Sequence, residues 1–403
     1  MTSLFAQVEL APRDPILGLN EAFNADAREG KTNLGVGVYF TDAGKIPLLR
    51  AVQKAETLRE AAHAARGYLA IEGINAYNQG VQGLLFSASA AGRDIIAQGR
   101  CITAQTLGGT GALKVGADFI KRMAPNASVS ISDPSWENHR ALFESAGFVV
   151  SNYPYYEAST HGVKFDEMMA YFAALPQRSV VVLHACCHNP TGVDLTVEQW
   201  KQVVAACQKG DLIPFLDMAY QGFADGIAQD GVAVDLFAAS GLQFFVSSSF
   251  SKSFSLYGER VGALTVVTAS KEESARVLSQ IKRVIRTNYS NPPTHGGTII
   301  SMVLNSPELR AEWEAELGEM RVRIKAMRVG FVEGLKARGV ERDFGFVAKQ
   351  RGMFSYSGLT TAQVDVLRTD YGIYAVGTGR ICVAALNTKN MPVVLDAIAA
   401  VLK

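Results

Sequence analysis

Lys252 directly follows a serine-rich, apolar run at 242–250 that is typical of a buried strand. An ammonium at the end of a buried strand is poorly solvated, and a partly desolvated amine has a lowered pKa and attacks carbonyl carbon. A single lysine in such a position more often extends its charged head to water. The chemical interpretation of Lys252 therefore depends on which other residues the chain brings to it.

Two further strands are expected to end on polar side chains. The apolar run at 212–217 closes on Asp217, with Tyr220 just beyond it, and the run at 180–183 leads to Asn189. In an open parallel sheet, ligands gather beyond the carboxyl ends of the strands. We therefore expect a carboxylate, an amide and the Lys252 amine to meet in one crevice.

A Gly-Gly-Thr-Gly turn at 108–111 precedes an amphipathic segment. Free N–H groups and the dipole at a helix start bind phosphate, although such a tetrapeptide alone is more often only a tight turn. The Lys252 segment adds two hydroxyls and a guanidinium, from Ser249, Ser251 and Arg260. A phosphate cradle, a carboxylate, an amide and an amine together match one ligand, pyridoxal 5′-phosphate (PLP).

Length and charge exclude several classes of protein. A chain of 403 residues favours two domains. The net charge of +1 gives no reason to expect nucleic acid or an anionic membrane as a partner. No run approaches the roughly 18 apolar residues of a membrane span, and the first residues lack the pattern of a signal peptide. Five cysteines, few and odd in number, favour a reducing cytoplasm.

Adjacent cysteines at 186 and 187, beside His184 and His188, raise the question of a zinc site. No second pair of ligands follows at the spacing of such sites. We therefore expect no metal, and we interpret both cysteines as small buried apolar residues.

The central part of the chain alternates apolar runs with amphipathic segments, which predicts a largely parallel sheet with helices on both faces. The predicted strands are 128–133, 179–185, 212–217, 243–250 and 262–267, and the predicted helices are 195–209 and 271–286.

A long periodic segment at 307–339 predicts a helix that leads into a second, smaller domain. The C-terminal part mixes elements in an α+β pattern, with strands predicted at 344–348, 353–356 and 380–384 and helices at 361–371 and 392–402. The first forty or so residues are expected to pack on this domain.

Four motifs together resemble the aspartate/aromatic amino-acid aminotransferases of class I, among the fold type I PLP enzymes. They are CCHNPTG at 186–192, AYQGF at 219–223, SFSKSFSLYGERVG at 249–262 and YSNPP at 289–293. The resemblance implies an α/β fold with a mostly parallel seven-stranded sheet in a large domain and a smaller α+β domain. It also implies an N-terminal arm at 1–13, a small domain at 14–46 with 319–403, and a large domain at 47–318.

By this resemblance Lys252 forms the Schiff base with PLP, and Trp136 stacks on its ring. Asp217 pairs with the ring nitrogen, with His139 behind it, and Asn189 and Tyr220 contact the ring hydroxyl. Lys252, Asp217, Tyr220 and Trp136 are the implied catalytic residues. The implied phosphate-binding residues are Gly109, Thr110, Ser249, Ser251, Arg260 and, from the second subunit of a homodimer, Tyr68.

The resemblance also implies how amino and 2-oxo acid substrates are held. Arg380 takes the α-carboxylate, Gly37 lines the pocket beside it, and Trp136 and Asn189 contact the substrate. Arg286 of the neighbouring subunit takes the second carboxylate of a dicarboxylic substrate. The local sequence around Lys252 is closer to the aromatic branch of the family, whereas 290–293 is closer to the aspartate branch.

We therefore expect a ping-pong transaminase that moves the amino group of tyrosine, phenylalanine and aspartate to 2-oxoglutarate. The alternative is a strict aspartate aminotransferase with little aromatic activity. A β-lyase or decarboxylase is disfavoured because Arg286 and Arg380 suit two successive carboxylate substrates. A regulatory module is disfavoured because we find no DNA-binding segment in the sequence. A nicotinamide dehydrogenase is disfavoured because the Gly-Gly-Thr-Gly turn lacks the full G-x-G-x-x-G pattern.

Overall fold

The computed structural model describes residues 3–11, 14 and 16–403. The predicted N-terminal arm at 1–13 therefore lies partly outside the described residues. Within the described part, no helix is both long and apolar enough to cross a membrane.

The strands of the described residues form small two-stranded sheets and one large sheet. In chain order they are β1 (Thr32–Asn33), β2 (Cys101–Leu107), β3 (Val129–Asp133), β4 (Val150–Pro154), β5 (Tyr156–Glu157), β6 (Gly162–Val163), β7 (Val180–His184), β8 (Ile213–Met218), β9 (Phe244–Ser249), β10 (Val261–Val267), β11 (Phe354–Tyr356), β12 (Ile373–Tyr374) and β13 (Arg380–Cys382).

The helices cover both faces of the large sheet and build most of the C-terminal part. In chain order they are α1 (Leu17–Ala25), α2 (Arg50–Ala61), α3 (Asn75–Phe86), α4 (Ala90–Ala97), α5 (Gly108–Met123), α6 (Glu137–Ser145), α7 (Phe165–Ala174), α8 (Val197–Lys209), α9 (Ile227–Asp230), α10 (Val232–Ser240), α11 (Lys271–Asn288), α12 (His295–Asn305), α13 (Pro307–Ala337), α14 (Gly345–Lys349), α15 (Thr361–Tyr371) and α16 (Met391–Val401).

The large sheet contains seven of the described strands in the order β2-β10-β9-β8-β7-β3-β4. Only β10 runs antiparallel to its neighbours in it. Nearly every residue of β7, β8 and β9 is buried, as expected for parallel strands covered on both faces. The predicted fold class is confirmed, and the five strands predicted from periodicity agree with β3, β7, β8, β9 and β10 to within two residues.

The register of the central strands aligns their carboxyl ends. His184 of β7 lies opposite Asp217 of β8, and Asp217 lies opposite Ser247 of β9. This alignment gathers residues that are far apart in the sequence at one edge of the sheet.

The N-terminal segment packs on the C-terminal part. β1 pairs in parallel with β12, and Leu34 donates a backbone hydrogen bond to Tyr374. Helix α13 spans both parts of the chain: its Trp313 stacks on Phe254 beyond β9, while its Arg328 contacts residues 347–354.

The strand predicted at 344–348 is wrong, because Gly345–Lys349 is helix α14. A short apolar run does not distinguish a strand from a buried helical turn by periodicity. Just before this helix, the Asp343 carboxylate accepts a hydrogen bond from the Gly345 N–H at 2.7 Å in a local turn.

Candidate active site

A cavity of about 300 Å³ opens at the carboxyl ends of the central strands. Its walls combine residues of the large sheet with residues from both ends of the chain. They are Ile16, Gly37, Gly109, Thr110, Leu113, Trp136, His184, Asn189, Asp217, Ala219, Tyr220, Ser249, Ser251, Lys252, Tyr257, Arg260, Phe354 and Arg380.

Lys252 lies in the turn that follows β9, and its Nζ is 4.9 Å from the centroid of the Tyr220 ring. Burial lowers the pKa of the Lys252 amine to about 8, although the nearby Asp217 carboxylate opposes this shift. A substantial fraction of this amine is therefore neutral near physiological pH and can act as a nucleophile or base.

Asp217 is the last residue but one of β8 and is buried, and its Oδ2 accepts a hydrogen bond from His139 Nε2 at 2.9 Å. Burial raises the pKa of Asp217, but the His139 hydrogen bond and the nearby His139, His184 and Lys252 outweigh burial and lower it overall. The carboxylate thus stays ionised at the floor of the cavity. His139 itself is held by Ser135, whose Oγ lies 2.9 Å from Nδ1.

The start of helix α5 forms the second feature of the cavity. Gly108 has a φ of +69°, and a Cβ there would collide with the Arg260 guanidinium. A Cβ at Gly109 would lie 3.0 Å from the Ser249 Cβ. Arg260 donates from Nη1 to Ser251 Oγ at 3.2 Å. Two glycines thus keep space open between a helix N-terminus, two serines and an arginine, which suits a phosphate group.

Arg380, at the start of β13, also lines the cavity and is 1% exposed. Its guanidinium donates to Asn189 Oδ1 at 3.1 Å and to the Gly35 carbonyl at 2.6 Å, and both acceptors are neutral. The Phe354 ring centroid lies 4.4 Å from the guanidinium carbon. Among the described residues, Arg380 Nε has no hydrogen-bond partner. A buried cation with neutral acceptors only is suited to bind a carboxylate from outside the chain.

Most of the residues predicted for the site line this cavity. His139 lies behind Asp217 rather than in the wall. Tyr68 is 96% exposed, and Arg286 on α11 is exposed and donates to Ser290 Oγ, so neither lines the cavity of its own chain.

Sequence reasoning missed six other wall residues: Ile16, Leu113, His184, Ala219, Tyr257 and Phe354. Burial lowers the pKa of His184 to about 3, so its ring is neutral, and both ring nitrogens lack partners among the described residues. The Tyr257 hydroxyl accepts a hydrogen bond from the Tyr39 N–H at 2.9 Å. The position of His184 at a strand end was an available signal, whereas Ile16 and Phe354 reach the cavity only through the packing of the C-terminal part.

Comparisons with known proteins identify the family of this chain. The family model for aminotransferase class I and II matches residues 29–398. The chain is 67% identical to an aspartate aminotransferase of Pseudomonas aeruginosa and 50% identical to an aromatic-amino-acid aminotransferase of Escherichia coli strain K12, covering 99% of this chain and 100% of each relative. An aromatic-amino-acid aminotransferase from Burkholderia pseudomallei, in a crystal structure covalently bound to pyridoxal phosphate, superposes with a TM-score of 0.96 at 67% identity over 100% of both chains.

This chain belongs to the aminotransferase class I and II family. The predicted family is confirmed.

Proposed function

We propose that this chain is a PLP-dependent aminotransferase that transfers the amino group of tyrosine, phenylalanine and aspartate to 2-oxoglutarate. One observation carries the proposal: Lys252, Asp217 and Arg380 line the same cavity. An amine, a buried carboxylate and a buried guanidinium are the groups that covalent capture of PLP, protonation of its ring and binding of an amino acid require.

The residues present fit the cofactor. PLP supplies an aldehyde for covalent capture and a ring that accepts electrons. Gly109, Thr110, Ser249, Ser251 and Arg260 would hold its phosphate, with Tyr68 of a second subunit. Trp136 would cover the ring, and Asn189 and Tyr220 would contact its hydroxyl.

Asp217 would keep the ring nitrogen protonated. Opposite charges about 4 Å apart attract by roughly 4 kcal/mol at an effective dielectric of about 20, equivalent to about three pKa units. His139 orients the carboxylate for this contact through its 2.9 Å hydrogen bond.

Lys252 would also move the proton of the reaction. In its free form the Lys252 amine would lie beside the substrate Cα. With a pKa of about 8, this amine would remove the Cα proton and return it to another atom on the same face of the bound substrate. Two successive carboxylate substrates would use Arg380 in turn, which gives ping-pong kinetics.

The relatives differ in the amino acid substrates for which they are named. Proteins named for aspartate and for aromatic amino acids are both 67% identical to this chain. The cavity walls include the apolar side chains of Ile16, Leu113 and Phe354, which suit an aromatic ring, while Arg286 of a partner subunit would take a second carboxylate. These features favour dual specificity over a strict aspartate aminotransferase.

Steady-state kinetics with 2-oxoglutarate and each of phenylalanine, tyrosine and aspartate test the proposal. We expect kcat/KM for the aromatic substrates to equal or exceed that for aspartate. Replacement Arg286→Met should lower kcat/KM for aspartate by roughly 10²-fold and leave the aromatic substrates nearly unchanged. Arg283→Met, on the same helix and also exposed, is the matched control. Aromatic values thousands of times below the aspartate value would instead establish the strict aspartate enzyme.

We also propose a homodimer with shared active sites. Four apolar side chains in residues 3–11 are exposed, Leu4, Phe5, Val8 and Leu10, and Tyr68 is exposed and does not line the cavity of its own chain. A second subunit would cover this apolar surface and receive Tyr68 and Arg286. The pairing of β1 with β12 supports a small domain built from 14–46 and 319–403, and five free cysteines support a cytoplasmic location.

A further inference from the structure

Arg328 is a buried arginine in the C-terminal half of helix α13, 1% exposed, and its acceptors are all neutral. Its guanidinium donates to the carbonyl oxygens of Val347 at 3.0 Å, Gly352 at 2.7 Å and Phe354 at 2.6 Å, with a longer contact to Arg351 at 3.3 Å. Burial lowers the pKa of Arg328 to about 10, so it remains charged at neutral pH. A buried charge held by carbonyls alone is costly, which indicates that its position matters.

These contacts immobilise the segment 351–354. Arg328 binds the carbonyls of residues 351, 352 and 354, and the Met353 carbonyl accepts from the Val383 N–H at 2.8 Å. The Arg351 N–H donates to the Gly192 carbonyl at 2.7 Å, in the turn that follows Asn189. Every carbonyl of the segment is therefore engaged, and loss of Arg328 would leave the buried Gly352 and Phe354 carbonyls without a strong donor.

The segment ends at Phe354, whose ring lies in the cavity wall. The ring covers Arg380 at 4.4 Å and meets the Tyr220 ring edge-on at 5.9 Å. A Cβ on Gly37 would lie 2.7 Å from Phe354 Cζ, so the ring has no free space on that side. A shift of the segment would therefore move the ring against Arg380 or Gly37.

We propose that Arg328 is a positioning residue for the carboxylate subsite: it holds the Phe354 ring against Arg380 and so sets the geometry in which the α-carboxylate is bound. This inference rests on the proposed function of Arg380. Since the α-carboxylate is common to all substrates, Arg328 acts on the affinity for aromatic and dicarboxylic substrates alike and leaves Lys252 and Asp217 in place.

The test compares Arg328→Lys, which keeps the charge but loses the planar fork, with Arg338→Lys on the same region of chain, where the arginine forms an ion pair with Asp396. We expect KM for tyrosine and aspartate, and the Kd of the PLP-loaded enzyme for maleate, to rise about tenfold in Arg328→Lys. The kcat of PLP-loaded enzyme should change less than about threefold. The Arg338→Lys variant should match the wild type in all of these values.

If Arg328 has a purely structural role, Arg328→Lys should lower the thermal stability and the fraction of protein loaded with PLP but leave KM and the maleate Kd unchanged. That result would overturn the proposal. A double-variant cycle tests the route: if Arg328 acts through Phe354, the variant Arg328→Lys/Phe354→Leu should have a KM within about twofold of Phe354→Leu alone. If the two substitutions instead raise KM multiplicatively, Arg328 does not act through the Phe354 ring.

Should Arg328→Lys fail to fold, Gly37→Ala displaces the same ring from the other side. It should raise KM and the maleate Kd to a similar extent, and unchanged values would overturn the inference. Failure of the proposed function is distinguishable, because the wild-type protein would then not transaminate any of these substrates.

Discussion

His139 Nε2 lies 2.9 Å from Asp217 Oδ2, and both side chains are buried. Since an ionised carboxylate only accepts hydrogen bonds, His139 donates from Nε2. Its other ring nitrogen, Nδ1, is hydrogen-bonded to the Ser135 hydroxyl. The pair directs a negative charge towards the cavity.

Replacement of Asp217 by Asn should keep the shape of this contact and remove the charge. We expect kcat to fall by about 10³-fold, matching the roughly three pKa units of ring protonation that are lost. Binding of PLP, measured by absorbance titration, should weaken far less because the phosphate cradle is intact. A kcat within tenfold of the wild type would contradict the role of the charge.

The pKa of Lys252 makes the stability of the cofactor-free protein depend on pH. Because burial lowers this pKa from 10.5 to about 8, the folded protein loses the proton before the unfolded chain does. Stability relative to Lys252→Met should therefore be lowest below pH 8 and rise between about pH 8 and 10.5, by about 1–3 kcal/mol for this partly exposed group. Urea unfolding of both proteins across this range measures the difference, and a flat or falling difference would refute it.

Replacement of Arg380 should affect activity far more than stability. Replacement by Met should lower kcat/KM for every amino acid by roughly 10²- to 10³-fold, because the α-carboxylate loses a bidentate partner. The free energy of unfolding should change by no more than about 1 kcal/mol, since removal of a buried charge offsets the loss of two hydrogen bonds. Kinetics and denaturant unfolding of the same preparation give both numbers; a selective loss for one substrate class would disagree with this role.

Gly108→Ala should weaken binding of PLP. The new Cβ would meet the Arg260 guanidinium at a residue whose φ is +69°, so both the cradle and the backbone are strained. We expect the Kd for PLP to rise roughly 10- to 100-fold. Gly330→Ala in α13 is the control, since no atom lies within 4 Å of its Cβ; it should leave the Kd unchanged and stabilise the helix by about 0.5–1 kcal/mol.

Shared active sites predict complementation between two inactive variants. Refolding a mixture of Lys252→Ala and Arg286→Asp chains should restore about a quarter of the wild-type activity with aspartate, because each mixed dimer has one site with both native residues. Each variant refolded alone provides the baseline. Activity that stays at that baseline would argue against Arg286 serving the neighbouring site.

Much of the fold could be predicted because local patterns agree with it. The buried strands β7, β8 and β9 are continuous apolar runs, and helix α15 occupies the predicted range 361–371. Where the pattern was short, as in α14, periodicity could not distinguish helix from strand.

For the site, the sequence alone determined which chemical groups are present and, by motif, that Lys252, Asp217, Asn189 and the 108–111 turn belong together. Only the tertiary structure decided their spacing, because it depends on strand register: His184, Asp217 and Ser247 align across three strands. The contact of Phe354 with Arg380 depends on residues far apart in the chain, and so do the hydrogen bonds from Arg328 to the segment 351–354. Such contacts leave no local periodicity, since they follow from the packing of α13 against the C-terminal strands.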